Sequence, residues 1–205
     1  MSLRVLRPVL LIAAALASAC ASSVPTRFYT LLRPAAAATA AQTPPTYAIE
    51  VLRVSVPEQV DVPQLVLRTG DGELALVETR QWIAPVGREI RAAVSDRLVH
   101  ELGVADVSDL ARPAGLSVRR IRIDVSRFDS ALGGYALLDA GWSVTDDARG
   151  IVLTCATRAR EPVAAGYEAL VEGHQRGVAR LAADIAAALR SIDAGAAAGC
   201  PAQPR

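Results

Sequence analysis

The strongest pattern in the chain lies near its C-terminus. Tyr167, Leu170, Val171, His174, Val178, Leu181, Ile185, Leu189 and Ile192 recur at steps of three and four, while Glu168, Glu172, Arg176, Arg180 and Asp184 fall between them. That spacing draws an apolar stripe down one side of an α-helix, so a long amphipathic helix is predicted over 167–192. A second stripe, Val86, Ile90, Val94, Leu98 and Leu102, steps by four and drifts slowly around a helix. Pro85 suits a first helical position and Gly103 a C-terminal stop.

Elsewhere the period falls to two, the spacing of a strand with one buried face. Residues 47–56 are β-branched and roughly alternating, with Pro57 ending them. Residues 64–69 and 73–78 flank Gly70-Asp71-Gly72, a hairpin signal. In 118–128, Ile121, Ile123 and Val125 point one way and Arg120, Arg122, Asp124 and Ser126 the other. In 135–145, Leu138, Ala140, Trp142 and Val144 share a face, and 151–157 follows a turn at 146–150. These three segments predict an antiparallel meander. Arg27-Phe-Tyr-Thr-Leu-Leu32 reads as one more strand. The small, proline-punctuated stretch 33–46 cannot bury much and reads as a loop, and 194–205 as a small, polar tail. The outcome is one α/β domain over 27–193, with two main helices covering a mixed sheet on one or both faces.

The first twenty residues follow another logic. Arg4 and Arg7 precede an apolar run of about nine residues, against the roughly 20 needed to span a bilayer, and small residues follow. This describes a signal peptide over 1–19. Ala17-Ser18-Ala19 is a generic cleavage site, and Cys20 comes directly after it. The stretch Leu16-Ala-Ser-Ala-Cys20 resembles the lipobox of bacterial lipoproteins, with Ala17 where Leu is usual. The resemblance implies a diacylglyceryl thioether and an N-acyl chain (such as palmitate) on Cys20; the alternative is plain secretion with Cys20 an ordinary thiol. Two or more chains anchor stably where one does not. Ala21, rather than Asp, after the cysteine resembles the sorting signal for the outer membrane, facing the periplasm. Residues 20–26 would then be a short tether, six residues from 21 to 26 reaching roughly 20 Å.

Composition narrows function mainly by exclusion. The 205 residues carry a net charge of +1, and all 22 basic residues are Arg. Nucleic-acid binding, which calls for a strongly basic face, is not expected. Removing 1–19 leaves two further cysteines, Cys155 and Cys200. An oxidising periplasm permits a disulfide between them; a buried thiol and a tail thiol are the other reading.

The search for chemistry yields little. His100 and His174, the two histidines, lie in no HExxH or clustered ligand spacing. His100 suits the end of the first helix, and His174 lies on the apolar stripe. No nucleophile elbow, Walker A or dinucleotide fingerprint occurs. Asp124 and Asp129 read as solvated charges on or just past one strand, and Asp146-Asp147 as turn chemistry, with weak cation binding the lesser reading. No catalytic residue, cofactor or metal site is assigned, and the expectation is a protein that is not an enzyme. One stretch, Glu78-Thr-Arg-Gln-Trp-Ile-Ala-Pro85, places Trp82 just before the first helix. Trp82 either seals the core edge or, with Arg80, anchors a partner, since both types are enriched at hot spots.

Five segments in order carry a family resemblance: Phe28-Tyr-Thr-Leu31; Val54-Ser-Val-Pro-Glu-Gln-Val-Asp-Val-Pro-Gln-Leu-Val-Leu-Arg68; Arg80-Gln-Trp-Ile-Ala-Pro85; Ile123-Asp-Val-Ser-Arg-Phe-Asp129; and Leu181-Ala-Ala-Asp-Ile-Ala186. Together they resemble the ABC-type transport auxiliary lipoproteins, the PqiC-like family, over essentially the whole mature chain. The resemblance implies a three-layer sandwich with a mixed, partly antiparallel sheet, similar to the TolB N-terminal domain. It implies a non-catalytic accessory of lipid-transport systems built on mammalian-cell-entry (MCE) domain proteins, docking their periplasmic conduit at the outer membrane and supporting envelope integrity. Oligomer formation would fit an oligomeric conduit. Because related folds recur among envelope lipoproteins, a scaffold or activator of cell-wall synthesis is the second reading, although that role calls for a long tether.

Overall fold

The computed structural model describes residues 24–34, 46–111, 115–195 and 199–202. The expected signal peptide, Cys20, most of the 33–46 loop and parts of the tail lie outside the described residues. Among the described residues, seven strands and two long helices follow in order: β1 (Arg27–Tyr29), β2 (Tyr47–Val51), β3 (Gln64–Arg68), β4 (Leu74–Trp82), α1 (Val86–Leu102), β5 (Ser117–Ala131), β6 (Tyr135–Asp146), β7 (Ile151–Pro162) and α2 (Tyr167–Asp193). The α/β architecture with two main helices and mixed, partly antiparallel pairing is as expected. The strands are divided between two sheets, ordered β2-β5-β6-β7 and β1-β4-β3.

The larger sheet is the predicted meander with β2 added in parallel at its edge. Val51 pairs with Ile121, Ile123 with Trp142, and Trp142 with Cys155. A register shift between Val125 and Arg127 carries Phe128 and Ser130 to the inner face. The helices cover that face. Leu170, Val178, Leu181, Ile185 and Leu189 of α2 have no exposed surface, and neither do Val86, Ile90, Val94 and Leu98 of α1. Each such side chain stabilises the fold by roughly 1.5–3 kcal/mol relative to exposure. Two glycines, Gly173 and Gly177, let α2 approach β6 and β7; a Cβ on Gly173 would meet Val163 Cγ1 at 2.3 Å.

The helix termini follow the sequence signals, with small differences. Pro85 is the N-cap of α1, one position before the first helical residue. Gly103 caps its C-terminus in the left-handed region at φ 67°, where only glycine is unstrained. The strand expected over 27–32 is shorter. After Tyr29 the chain turns inward, and Thr30 and Leu31 bond to Glu89 of α1 instead of to a strand.

An inner-face arginine was not singled out in the sequence. Arg119, 1% exposed, donates through Nε to Asp146 at 3.0 Å and through Nη2 to Asp193 at 2.5 Å, with its guanidinium 3.6 Å over the Tyr47 ring. It joins β2, β5, β6 and the end of α2. It shares the parity of Ile121 and Ile123, so alternation alone pointed it inward. Burial, with the Asp193 charge second, pushes the Tyr47 hydroxyl up to about 12.

Candidate functional site

Residues 27–31, 80–82 and the start of α2 converge on one edge of the domain. β1 runs parallel to β4, with Arg27 opposite Arg80, Phe28 opposite Gln81 and Tyr29 opposite Trp82. Arg27 lies 3.4 Å from Glu168, and the Tyr29 hydroxyl donates to the same carboxylate at 3.3 Å. Burial and the Glu168 charge together raise the Tyr29 hydroxyl above its ordinary value. Glu168, in the first turn of α2, is held below the usual carboxylate range by its own backbone amide and then by Tyr29. Gln175 Nε2 donates to the Thr30 carbonyl at 3.0 Å. The segment after the expected tether is thus bolted to both helices.

Trp82 faces the core. It is 3% exposed, and its indole meets Phe128 and His174 edge-on at 6.1 Å. Of the two readings of Trp82, the structure supports the first: this tryptophan seals the core edge, and the reading of it as an exposed partner anchor is set aside. The reason lies in the pairing of β4. Gln64 pairs with Gln81 but Leu65 with Val77, so residues 78–80 bulge and alternation cannot be projected across them. Leu76 and Trp82 share parity, yet Leu76 is 53% exposed. Arg80 is half-buried. Its Nη1 donates to the Thr79 carbonyl at 2.8 Å, and its guanidinium lies 5.1 Å from the Tyr167 ring centroid.

Behind Trp82 sits a small buried polar group. His174 stacks on Phe128 at 4.0 Å, and its Nε2 is 2.8 Å from Ser130 Oγ. Among the described residues, Nδ1 has no hydrogen-bond partner. Burial pushes the imidazole down to about 3, against a smaller upward pull from Asp129, so the ring is neutral and structural. His100 lies on α1, 3.5 Å from Asp96. Among the described residues no group of three potential ligands could hold a metal ion. Asp129 pairs with Arg68 and Arg127, Asp147 with Arg120.

A cleft of about 430 Å³, which the sequence did not signal, runs past the start of α1 and is lined by Arg53, Arg88, Arg91 and Asp109 among others. Arg91 is already engaged by the Val51 carbonyl at 2.8 Å and Asp109 at 2.9 Å. Gly87 marks the place, since a Cβ there would lie 3.0 Å from the Val54 carbonyl. Cys155 and Cys200 are joined by a disulfide with Cα atoms 5.5 Å apart, which ties the tail to β7.

The sequence profile of the ABC-type transport auxiliary lipoprotein component matches residues 29–186, from Tyr29 of β1 deep into α2. This chain belongs to that family. The family is one of lipoproteins that serve transport systems, not an enzyme family. No curated protein matches the chain. Two crystal structures share the fold of this auxiliary lipoprotein. An uncharacterized protein superposes with a TM-score of 0.66 at 19% identity, covering 81% of this chain and 99% of its own. A Xanthomonas campestris protein of a family of unknown function gives 0.62 at 17%, covering 82% and 98%. Among the described residues no helix is long and apolar enough to cross a membrane.

Proposed function

We propose that this auxiliary lipoprotein is anchored through acylated Cys20 to the outer membrane, faces the periplasm, and docks the conduit of an MCE-type lipid transport system there, supporting envelope integrity. The observation that carries the reading is the family match over residues 29–186, taken with the lipobox-like stretch ending at Cys20. The bolting of residues 27–31 supports it over cell-wall scaffolding. A domain that begins seven residues after its anchor stays beside the membrane, whereas reaching through the cell wall requires a long tether.

With Trp82 buried, the partner contact on this edge falls to Arg80. The reading is tested by pulling the tagged, acylated protein from mild detergent and identifying its companions by mass spectrometry. An MCE-domain protein is the expected companion, and Arg80→Ala should reduce its recovery while leaving the fold intact. A cell-wall synthase in its place would overturn the transport reading.

A further inference from the structure

Isolated apolar side chains are common on protein surfaces. Those around β1 are not isolated, and they lie where the chain enters the domain. Val24 is 62% exposed, Phe28 57% and Ile83 62%. Phe28 pairs with Gln81, so the two share a face of the β1–β4 ladder. The Ile83 amide donates to the Tyr29 carbonyl at 2.9 Å, continuing that ladder. Trp82 points into the core, and Ile83 on its far side points out with Phe28. The β5–β6 turn approaches Ala165 through Gly133, and Arg27 reaches Glu168 three residues further along, which places β1 toward that end of the domain. Phe28 and Ile83 therefore lie exposed together on one face of this edge, with Val24 four residues before Phe28. Arg27, the first residue of β1, and Arg33, four residues after its end, are both exposed.

The chain that precedes this end says what covers it. Four residue steps separate Cys20 from Val24, so their Cα atoms are at most about 14 Å apart. If Cys20 carries acyl chains in a bilayer, Val24 cannot leave the headgroup region by more than that, and the end bearing Phe28 must face the lipid. Aromatic and aliphatic side chains flanked by arginine suit this boundary, with the ring among upper acyl segments and the guanidinium at the phosphates.

We propose that Val24, Phe28 and Ile83 form a membrane seat, pressed into the headgroup layer of the leaflet that holds the Cys20 anchor. The inference rests on acylation of Cys20 and goes beyond it. The anchor alone would leave the domain free to tumble, whereas the seat fixes which face it turns to the periplasm.

The test uses full-length acylated protein in vesicles of phosphatidylethanolamine and phosphatidylglycerol, with or without phosphatidylcholine brominated on its acyl chains. Phe28→Trp, Ile83→Trp and Val152→Trp are read one at a time as differences from the parent, after circular dichroism confirms the fold. Val152 is a fair control: it is 72% exposed and pairs with Thr145, at the opposite end of the β6–β7 hairpin from Tyr135 and Pro162. Blue-shifted emission and about twofold quenching by bromine are expected at positions 28 and 83, with little change at 152. Water-exposed emission at 28 and 83, quenched no more than at 152, overturns the seat. So does a blue shift without bromine quenching, which would mean that protein, whether a second copy or a partner, covers the patch. The mass of the Cys20 peptide from the same preparation separates the two readings. An unmodified cysteine sinks the anchor and the seat with it, while an acylated cysteine with unquenched tryptophans sinks the seat alone.

Discussion

Glu89 accepts the backbone amide of Leu31 at 2.8 Å, joining the first turn of α1 to the segment that leads in from the N-terminus. The same carboxylate oxygen accepts the Thr30 hydroxyl at 2.7 Å. Both donors end on one acceptor that is 4% exposed, and an acid in a first helical turn also suits the helix dipole.

Glu89→Ala should therefore release residues 30–32 as well as weaken the fold. Leaving a buried donor unpaired costs about 1–3 kcal/mol, and the loss read from the urea midpoint should fall in that range. Limited proteolysis should then cut within 24–34 first. Glu89→Gln, which keeps an acceptor, should lose less. A Glu89→Ala protein as stable and protease-resistant as the parent would contradict the bolt.

The buried imidazole sets a pH dependence of definite sign. His174 titrates at about 3 in the folded protein and near 6.5 in the unfolded chain. As pH falls through about 6.5 the unfolded chain takes up a proton that the folded protein refuses. The stability contributed by the neutral ring is complete above that pH and is lost progressively toward about 3. Urea midpoints at about pH 7.5 and about pH 5 should fall more for the parent than for His174→Gln, which keeps a polar partner for Ser130 without titrating. Equal shifts would show that His174 takes up its proton in the folded state.

Two glycines four residues apart on α2 should respond in opposite directions. At Gly173 a new Cβ meets Val163 Cγ1 at 2.3 Å and Ala136 Cβ at 3.0 Å; at Gly177 its nearest neighbours lie at 3.6 and 3.7 Å. Overpacking typically costs about 1–3 kcal/mol, so Gly173→Ala should lower the thermal midpoint. Ordinary contact at Gly177 leaves the helix-propensity gain of about 0.8–1 kcal/mol, so Gly177→Ala should raise it. The two melts, recorded side by side, check this.

The Cys155–Cys200 bridge closes a sequence separation of 45 residues. In the chain-entropy description such a loop stabilises by about 4 kcal/mol. Cys200→Ser should lower the unfolding midpoint accordingly, and reductant should bring the parent toward the same value. Alkylation followed by mass measurement, with and without reductant, reads the bridge directly; two free thiols without reductant would exclude it.

The sequence by itself determined the elements and most of their faces. The stripe from Tyr167 to Ile192 became α2, with His174 inside as its spacing required, and the alternation around Ile121, Trp142 and Cys155 became the meander with those residues inward. Local periodicity suffices there, because a helix or strand with one apolar side has one way to bury it. Arg119 was legible by the same parity, although its partners Asp146 and Asp193 were not.

Tertiary structure decided everything that depends on distant partners. Parallel pairing of β1 with β4 and of β2 with β5 joins segments about 50 to 70 residues apart, and no local period encodes that choice. The bulge opposite the Gln64–Leu65 step turned Trp82 inward, against what alternation from Leu76 would give. The Glu89–Leu31 contact likewise exists only once α1 and β1 pack together. A side chain's facing follows from its neighbours in sequence only while the ladder stays regular; where the register shifts, packing decides, and at the edge beside β1 it left Phe28 and Ile83 facing out.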